Sequence, residues 1–498
     1  MTVSEFRRWP AGVAAAAALA YAAGLSRLSR GIGVDSVDGV IGLLNVLRWA
    51  DLGAPGSVET TRPPLSWFLF APGIARAYES GGASAALALS QACMIAVAAV
   101  LGVSAFLFFR TLLRDREAAV AALAMALNPL VIANAPFFRF DLLSALLAIP
   151  FLFCAFNHAD APSPRRLAWL LGAYAAGYLC RYQFLILWTV PVAYLALRPG
   201  GGSLRERLRA FWDGGWWLLP PAGYLAALLL NAVLAGGGGE QGIWRSMAFG
   251  HEKFMELVVG GNLSGKSGWV DWAAYARAVP RFLGWPTALL MGLGLWEWAA
   301  RGASRERFLL TALLIPLAAL NAIPTRELRY LIILFPAAFA ALGQGLARAG
   351  ELISPRWPLA GALAPWLFLA ALPWESAREA AVWLAREPSL RPPVLGAIRR
   401  ELEGSLPAGA CVEFKGDGAM LLSWLPVVGR DDQPVWLNDL TLNFYTGRKI
   451  VREGSPEAGA CARGLEVHPA RFADAAEWRS LPATLRFFPG TKKKAKRP

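Results

Sequence analysis

Two carboxylates just beyond the first apolar segment are the leading candidates for chemistry in this sequence. Asp35 and Asp38 stand in an Asp-Ser-Val-Asp stretch. A carboxylate in such a position can accept a proton from a hydroxyl or an amine, or bind a divalent metal. Either residue could instead cap a helix over 39–50. Arg62 follows in Thr-Arg-Pro-Pro-Leu, and its guanidinium fork matches the oxygens of a phosphate group.

Charged residues also stand where apolar segments meet. Arg139 and Asp141 lie in one short turn, where an ion pair at a helix start would account for both of them. Arg181 stands at another junction, in Cys-Arg-Tyr, and a long stem that carries its charge to the membrane surface would explain it. A structural interpretation therefore stands beside any functional one for all three residues.

Two later segments add ionisable side chains. His251 and Glu252 are adjacent, which is poor spacing for two metal ligands on one helix face, so a structural histidine and a contact to a small ligand both stay open. Arg326 and Arg329 are three residues apart and would share a helix face, directly before Tyr330 and a long apolar run. Such a pair can hold a phosphate at a helix N-terminus, or anchor a membrane span.

The elements that must position these residues are predicted to be membrane spans. Of the 498 residues, 56% are hydrophobic and 17% charged, whereas a soluble chain usually has about 25% charged residues. About eleven apolar runs without charged interiors are interpreted as spans. They cover about 10–25, 83–109, 118–138, 142–156, 167–180, 182–197, 214–235, 282–299, 308–324, 330–347 and 358–374. A further apolar run, Pro64 to Tyr78, predicts an interfacial helix.

The positions of the arginines predict the orientation of the spans. The net charge of +14 would suggest nucleic-acid binding in a soluble protein. Here the charge concentrates in short loops, at Arg7, Arg8, Arg110, Arg114, Arg116, Arg165, Arg166, Arg198, Arg205, Arg207, Arg209, Arg301, Arg305, Arg307, Arg348 and Arg356. Eleven threaded spans place all of these loops on one face, which the positive-inside rule makes cytoplasmic.

We therefore expect a multi-pass protein of a bacterial inner or plasma membrane, with no nucleic-acid partner. Its N-terminus would be cytoplasmic, and segments 26–81, 236–281 and 375–498 would face outward. The lack of charged residues inside the spans counts against an ion-coupled transporter.

The composition divides the chain into a transmembrane domain, 1–374, and an extracytoplasmic domain, 375–498, that ends in a basic tail. The second is predicted to be a small α/β domain. Its predicted elements are helices at 376–386 and 393–402 and strands at 411–414, 435–437 and 442–445. Cys411 and Cys461 both fall in it, and an oxidising compartment permits a disulfide between them without requiring one.

Taken in order, these motifs resemble those of the GT-C glycosyltransferases. The most similar branch is the family 39-like one, of protein mannosyltransferases and aminoarabinose transferases. The shared pattern is an acidic residue after the first span, an Arg-Pro-Pro-Leu stretch followed by an aromatic residue, an acidic second turn, and an Arg-Glu-x-Arg-Tyr sequence at a late span. Enzymes of this branch take a sugar from a polyprenyl-phosphate carrier at the outer membrane face.

The resemblance implies a role for each matching position. Asp35 would be the catalytic base, with Asp38 as the alternative, because many members have Asp-Glu where this chain has Asp-Ser-Val-Asp. Asp141 would be a second acid, or a metal or sugar ligand, and Arg139 would orient it. The positions implied to contact the carrier phosphate or the sugar are Arg62, Arg139, Arg181, Arg326, Arg329 and Tyr330. His251 is added because it falls in a predicted outer loop, where it could contact the sugar or the acceptor.

The function that follows from the resemblance is transfer of a sugar from polyprenyl phosphate to a lipid, glycan or protein acceptor. Direct displacement predicts inversion at the anomeric carbon. No cofactor is assigned, and a divalent metal stays open, because some GT-C enzymes use one and others do not. The alternative is a non-catalytic flippase, transporter or assembly protein for lipid-linked glycans. Neither a Walker A sequence nor a Rossmann glycine motif is present, so no site for nucleotide chemistry is visible.

Overall fold

The computed structural model describes most of the predicted transmembrane domain and the strands of the segment that follows it. The described residues are 11–29, 38–52, 54, 58, 63–197, 202–234, 275, 283–322, 328–361, 363–365, 367–368, 411–415, 420–422, 434–436, 444, 450–452, 463–468 and 484–489.

Most of the described residues up to position 368 are helical. They are α1 Ala11–Leu28, α2 Asp38–Trp49, α3 Pro64–Phe68, α4 Ala71–Phe109, α5 Asp115–Ala126, α6 Pro129–Asn134, α7 Asp141–Asp160, α8 Pro164–Cys180, α9 Thr189–Leu197, α10 Leu204–Asp213, α11 Leu219–Leu234, α12 Trp285–Arg301, α13 Ser304–Ala322 and α14 Phe335–Ile353. Helices of the tighter 3-10 type cover Tyr182–Trp188, Trp216–Leu218 and Leu328–Leu334.

Helix α4 bends at two consecutive glycines whose backbone angles are not helical. Its 39 residues would span about 58 Å if straight, nearly twice the hydrocarbon thickness of a bilayer. Gly82 has φ of 65°, a left-handed conformation that favours glycine, and Gly81 is also non-helical. The bend separates residues 71–80 from the predicted span at 83–109. The interfacial helix predicted over 64–78 is therefore two pieces, α3 and the first turns of α4.

The apolar run predicted as one span over 118–138 forms two helices. α5 ends at Ala126, and Asn128 starts α6 by accepting a hydrogen bond from the backbone amide of Leu130 at 2.9 Å. Pro129 occupies the first position of α6, where its missing N–H costs nothing. The Asn-Pro pair thus interrupts a segment whose hydropathy alone predicts a continuous helix.

Helices α12 and α14 approach so closely that glycine is required on both. A Cβ atom on Gly294 would collide with the carbonyl group of Ala341, and one on Gly345 would collide with that of Leu290. The obstacles are backbone atoms, which cannot rotate away. Small residues at such crossings let two backbones pack directly, a common device between membrane helices.

Substitution of Gly345 by alanine is expected to destabilise the protein by about 1–3 kcal/mol, because the added methyl group forces α12 and α14 apart. Gly292 is the matched control, since a Cβ there meets no atom within 4 Å. Gly292→Ala should be neutral or stabilise by up to about 1 kcal/mol, as alanine favours a helix more than glycine does. Thermal unfolding of both variants in detergent measures the difference. Equal midpoints would contradict the close-packing argument.

Contacts between helix ends place the basic loops at one end of the helix bundle. Arg305, at the start of α13, donates to the carbonyl of Thr111 beyond α4 at 2.6 Å. Arg348 of α14 lies 3.6 Å from a carboxylate oxygen of Glu297 in α12. We call the end of the bundle that carries these loops the basic end. Its arginines are Arg110, Arg114, Arg116, Arg165, Arg166, Arg301, Arg305, Arg307 and Arg348. Asp141 begins α7 at the opposite end, about 30 Å away along the helix axis.

Four described helices are long and apolar enough to cross a membrane by length and composition. They are Ala71–Phe109, Asp141–Asp160, Trp216–Leu234 and Arg329–Ile353. The total of about eleven spans and the assignment of the basic end to the cytoplasm stay predictions.

The segment predicted as the outer domain contains two sheets among its described residues. The strands are β1 Val412–Lys415, β2 Met420–Leu422, β3 Pro434–Trp436, β4 Ile450–Arg452, β5 Arg463–His468 and β6 Thr484–Pro489. One sheet has the order β4-β1-β5-β6, in which β1 is parallel to both neighbours and β5 is antiparallel to β6. β2 and β3 form an antiparallel pair.

Individual predictions for this segment have different outcomes. β1 and β3 fall at two of the predicted strands, but Phe444, within the third, is helical, so the strand prediction is wrong at that residue. Phe444 is fully buried and its ring lies 6.5 Å from that of Tyr78, a tertiary contact that a local pattern does not reveal. Cys411 is disulfide-bonded. Cys461 and the helices predicted at 376–386 and 393–402 lie outside the described residues.

Candidate functional site

The turn between α6 and α7 places a carboxylate at a helix N-terminus. Asp141 is the first residue of α7 and is 1% exposed. The positive end of the helix dipole favours a negative charge at that position. Ser144, one turn on, is also buried, and its hydroxyl donates to the backbone carbonyl of Asp141 at 2.7 Å. The start of α7 is therefore a fixed position for a buried acid.

Arg181 forms an ion pair with Asp141. The α8 helix ends at Cys180, and Arg181 adopts an extended backbone conformation before the next helical turn begins. That break turns its side chain toward the start of α7. Its Nε atom also donates to the side-chain carbonyl of Gln183. Sequence alone allowed Arg181 to be a residue that only reaches the membrane surface. In the structure its guanidinium lies inside the helix bundle, and 15% of the side chain is exposed.

Tyr330 and Arg329 complete the group. The guanidinium carbon of Arg181 lies 5.3 Å from the centre of the Tyr330 ring, and that of Arg329 lies 5.8 Å from it. Both distances are in the range of cation–π attraction. We call Asp141, Arg181, Arg329 and Tyr330 the arginine–tyrosine cluster. Its described side chains are two guanidinium groups, one carboxylate and one phenol ring, and guanidinium groups are suited to binding the oxygens of an anion.

Arg139 is buried in the same turn, but it does not form the ion pair with Asp141 that the sequence suggested. Within the described part of the chain, the ion pair of Asp141 is with Arg181 rather than with Arg139. The guanidinium carbon of Arg139 lies 5.3 Å from the ring centre of Phe137, and the residue is 7% exposed. The local ion pair that the sequence suggested is therefore replaced by a long-range one.

Helix α2 packs against this turn. Gly42 lies so close that a Cβ atom on it would meet the ring of Phe138 at 3.1 Å and that of Phe140 at 3.3 Å. Asp38 is the first residue of α2, one helical turn before Gly42. Its backbone thus begins a helix whose next turn touches the segment between α6 and α7.

The remaining predicted site residues are not placed. Asp35, Arg62, His251 and Arg326 lie outside the described residues, as does the side chain of Asp38. Of the predicted set, the structure brings together Asp141, Arg181, Arg329 and Tyr330, and it places Arg139 in the adjoining turn. Where side chains are described, no group of three His, Cys, Asp or Glu residues could hold a metal ion.

One contributor to the cluster was not foreseen from the sequence. Gln183 accepts a hydrogen bond from Arg181 and so helps to orient the guanidinium. Tyr182, between them, packs on Tyr178 with ring centres 5.3 Å apart. The only signal in the sequence was the spacing of Arg181 and Gln183. Side chains two residues apart point to the same side of an extended backbone and can meet.

The described helices have the GT-C fold, which they share with solved structures that match about nine-tenths of this chain. ArnT from Cupriavidus metallidurans in the apo state is similar with a TM-score of 0.55 and 13% identity over 92% of each chain. The same protein bound to undecaprenyl phosphate gives a TM-score of 0.52 and 14% identity, over 90% of this chain and 86% of that one.

A second protein extends the comparison. The arabinofuranosyltransferase AftD from Mycobacteria gives a TM-score of 0.51 and 16% identity, over 92% of this chain but only 35% of its own length. No protein-family model and no curated protein matches the chain by sequence. At such identities the likeness establishes the fold, and roles for single residues must come from the geometry of this chain.

Proposed function

We propose that this protein is a membrane glycosyltransferase that moves a sugar from a polyprenyl-phosphate carrier to a lipid, glycan or protein acceptor. The observation that carries the proposal is the arginine–tyrosine cluster. It is a partly buried group of two arginines, an aspartate and a tyrosine at the end of a GT-C helix bundle that lies opposite the basic end. If the basic end is cytoplasmic, the cluster faces the outer compartment.

The leaving phosphate is the anion that the cluster suits. Asp141 holds Arg181 in place, and Tyr330 packs against the guanidinium groups of Arg181 and Arg329. The arginines therefore have little freedom to lose when a phosphate binds, which favours electrostatic stabilisation of charge that develops during the reaction. In this proposal Arg62 and Arg326 join them, and His251 contacts the sugar or the acceptor.

Proton removal falls to the first outer segment. Asp35, or Asp38 in its place, accepts the proton of the acceptor hydroxyl or amine. The acceptor oxygen or nitrogen forms a bond to the anomeric carbon, and the bond from that carbon to the phosphate oxygen breaks. Polyprenyl phosphate leaves with the electron pair, and the anomeric centre is inverted. The packing of Gly42 against Phe138 and Phe140 supports a position for α2 beside the cluster.

The carrier class rests on the fold comparison. ArnT, which this chain resembles over 86% of the length of that protein, is bound to undecaprenyl phosphate in one of the compared structures. A polyprenyl phosphate joins a long apolar chain to an anionic head. The apolar helices of this protein and its arginine–tyrosine cluster supply matching surfaces for the two parts.

A transfer assay with the purified full chain tests the proposal. We expect it to release polyprenyl phosphate from at least one member of a panel of undecaprenyl-phosphate sugars and to glycosylate a lipid, glycan or peptide acceptor. A parallel assay with EDTA determines whether a divalent metal is needed. Translocation of a lipid-linked glycan across vesicles, with no transfer from any donor and no effect of Asp35→Asn or Asp38→Asn, would establish the flippase alternative instead.

A further inference from the structure

A short amphipathic helix at the basic end is not used by the proposed reaction. α10, Leu204–Asp213, joins the apolar segment Tyr182–Leu197 to the apolar helix Trp216–Leu234. None of its ten residues is buried. It lies at the basic end because His158, near the end of α7, donates through Nε2 to the carbonyl oxygen of Gly214 at 2.7 Å, just after α10.

The apolar residues of α10 share one face and are widely exposed. At about 100° per residue, Leu204, Leu208, Phe211 and Trp212 fall within about a third of the helix circumference. Leu204 is 72% exposed, Leu208 59% and Trp212 64%. Phe211 alone is half-buried, with its ring centre 6.5 Å from that of Trp188. The described protein thus covers only one edge of this face.

Charged residues are arranged around that face by sign. Arg205 and Arg209 are exposed and follow Trp212 around the helix, next to the apolar arc. Glu206 and Asp213 lie on the far side, about 180° from Leu204. The boundary between apolar and polar surface is therefore positively charged, and the acidic residues are kept away from it.

Both ends of α10 are fixed, so its apolar face has a defined direction. At the start, Ser203 and Glu206 form a capping box, and Arg207 donates to the carbonyls of Ala196 and Gly202. At the end, Gly215 has φ of 70°, which allows the chain to turn sharply into the next helix. The rings of Trp212 and Trp217 stack across that turn with centres 5.1 Å apart.

From this arrangement we infer that α10 lies in the headgroup layer of the membrane and binds anionic phospholipids. Leu204, Leu208 and Trp212 enter the acyl-chain boundary, and Arg205 and Arg209 bind lipid phosphates. An amphipathic helix with arginine beside its apolar face is suited to an anionic membrane surface. Because α10 connects two apolar segments, Tyr182–Leu197 and Trp216–Leu234, it lies next to the membrane surface if those segments are in the bilayer. Trp169, exposed near the start of α8, lies at the same end, as expected for an interfacial aromatic belt.

Lipid retention by the purified full chain tests the charge half of the inference. Native mass spectrometry in a mixture of phosphatidylglycerol and phosphatidylcholine measures the affinity for each lipid. The Arg205→Gln/Arg209→Gln variant should bind phosphatidylglycerol about tenfold more weakly. The matched control is Arg114→Gln/Arg356→Gln, which removes two exposed arginines near the same end but outside α10. Equal losses in both variants, or no loss in the first, would overturn the inference.

Depth measurements test the apolar half. A fluorescent label on Leu208→Cys, in nanodiscs that contain phosphatidylglycerol, should be quenched by doxyl-labelled lipids and shielded from iodide. The control label on Asp213→Cys, on the far side of the helix, should behave in the opposite way, and the unsubstituted chain corrects for labelling of native cysteines. Equal iodide quenching at both positions would contradict membrane insertion. Shielding from iodide without doxyl quenching would mean that a protein partner or a second copy covers this face, and the lipid inference would be wrong.

Discussion

Replacement of Arg181 by leucine should lower the free energy of unfolding by about 3–5 kcal/mol, because it leaves a buried carboxylate without its charge partner. Asp141 is 1% exposed, so water cannot replace the lost guanidinium. Leucine retains much of the apolar contact with Tyr330, which separates the charge effect from loss of packing. Thermal and denaturant unfolding in detergent measure the loss.

Two further variants isolate the ion pair. Asp141→Asn combined with Arg181→Leu should be less destabilised than the sum of the single changes, since no buried charge then stays unpaired. Arg301→Gln removes a guanidinium that is 64% exposed and lies 3.5 Å from Glu297, and it should cost no more than about 1 kcal/mol. If Arg181→Leu were as mild as Arg301→Gln, the pair would not be a stabilising part of the fold.

The second large effect is expected at the proposed base. Asp35→Asn should reduce sugar transfer by about 10²–10⁴-fold, because asparagine cannot take the proton of the acceptor. Its amide preserves the size of the side chain, so expression and thermal stability should stay close to those of the unchanged protein. Rates of product formation at saturating donor and acceptor provide the measurement.

Asp38→Asn is the matched control for that experiment. If Asp35 is the base, Asp38→Asn should retain most of the activity, and the reverse pattern would assign the role to Asp38. Near-normal transfer by both single variants and by the double variant would exclude this segment as the source of the base. Such a result would leave the arginine–tyrosine cluster as an anion site whose reaction needs another base.

The candidate site shows where sequence reasoning succeeded and where it stopped. The positions of Asp141, Arg181, Arg329 and Tyr330 at the junctions of apolar runs were predicted, because a charge inside hydrocarbon is costly and charged residues collect at span ends. The sequence suggested an ion pair between neighbours, Arg139 and Asp141. The structure pairs Asp141 with Arg181 instead, since the start of α7 and the end of α8 lie side by side.

Sequence by itself determined the features that depend on local chemistry. The apolar runs predict most of the helices, and the arginines in short loops predict a basic end that the helix-end contacts assemble. Hydropathy missed the Asn-Pro interruption of the 118–138 run, although the capping hydrogen bonds of α6 and α10 are local and join residues two or three apart.

Tertiary structure alone decided the features that join distant parts of the chain. The arginine–tyrosine cluster draws on α7, the end of α8 and the helical turn before α14. The crossing of α12 and α14 depends on one glycine from each helix. Helix hydropathy is the same for many mutual arrangements of the helices, so it cannot select one of them. The selection comes from close backbone packing and from the need to pair a buried charge, and both require the partner helix to be in place.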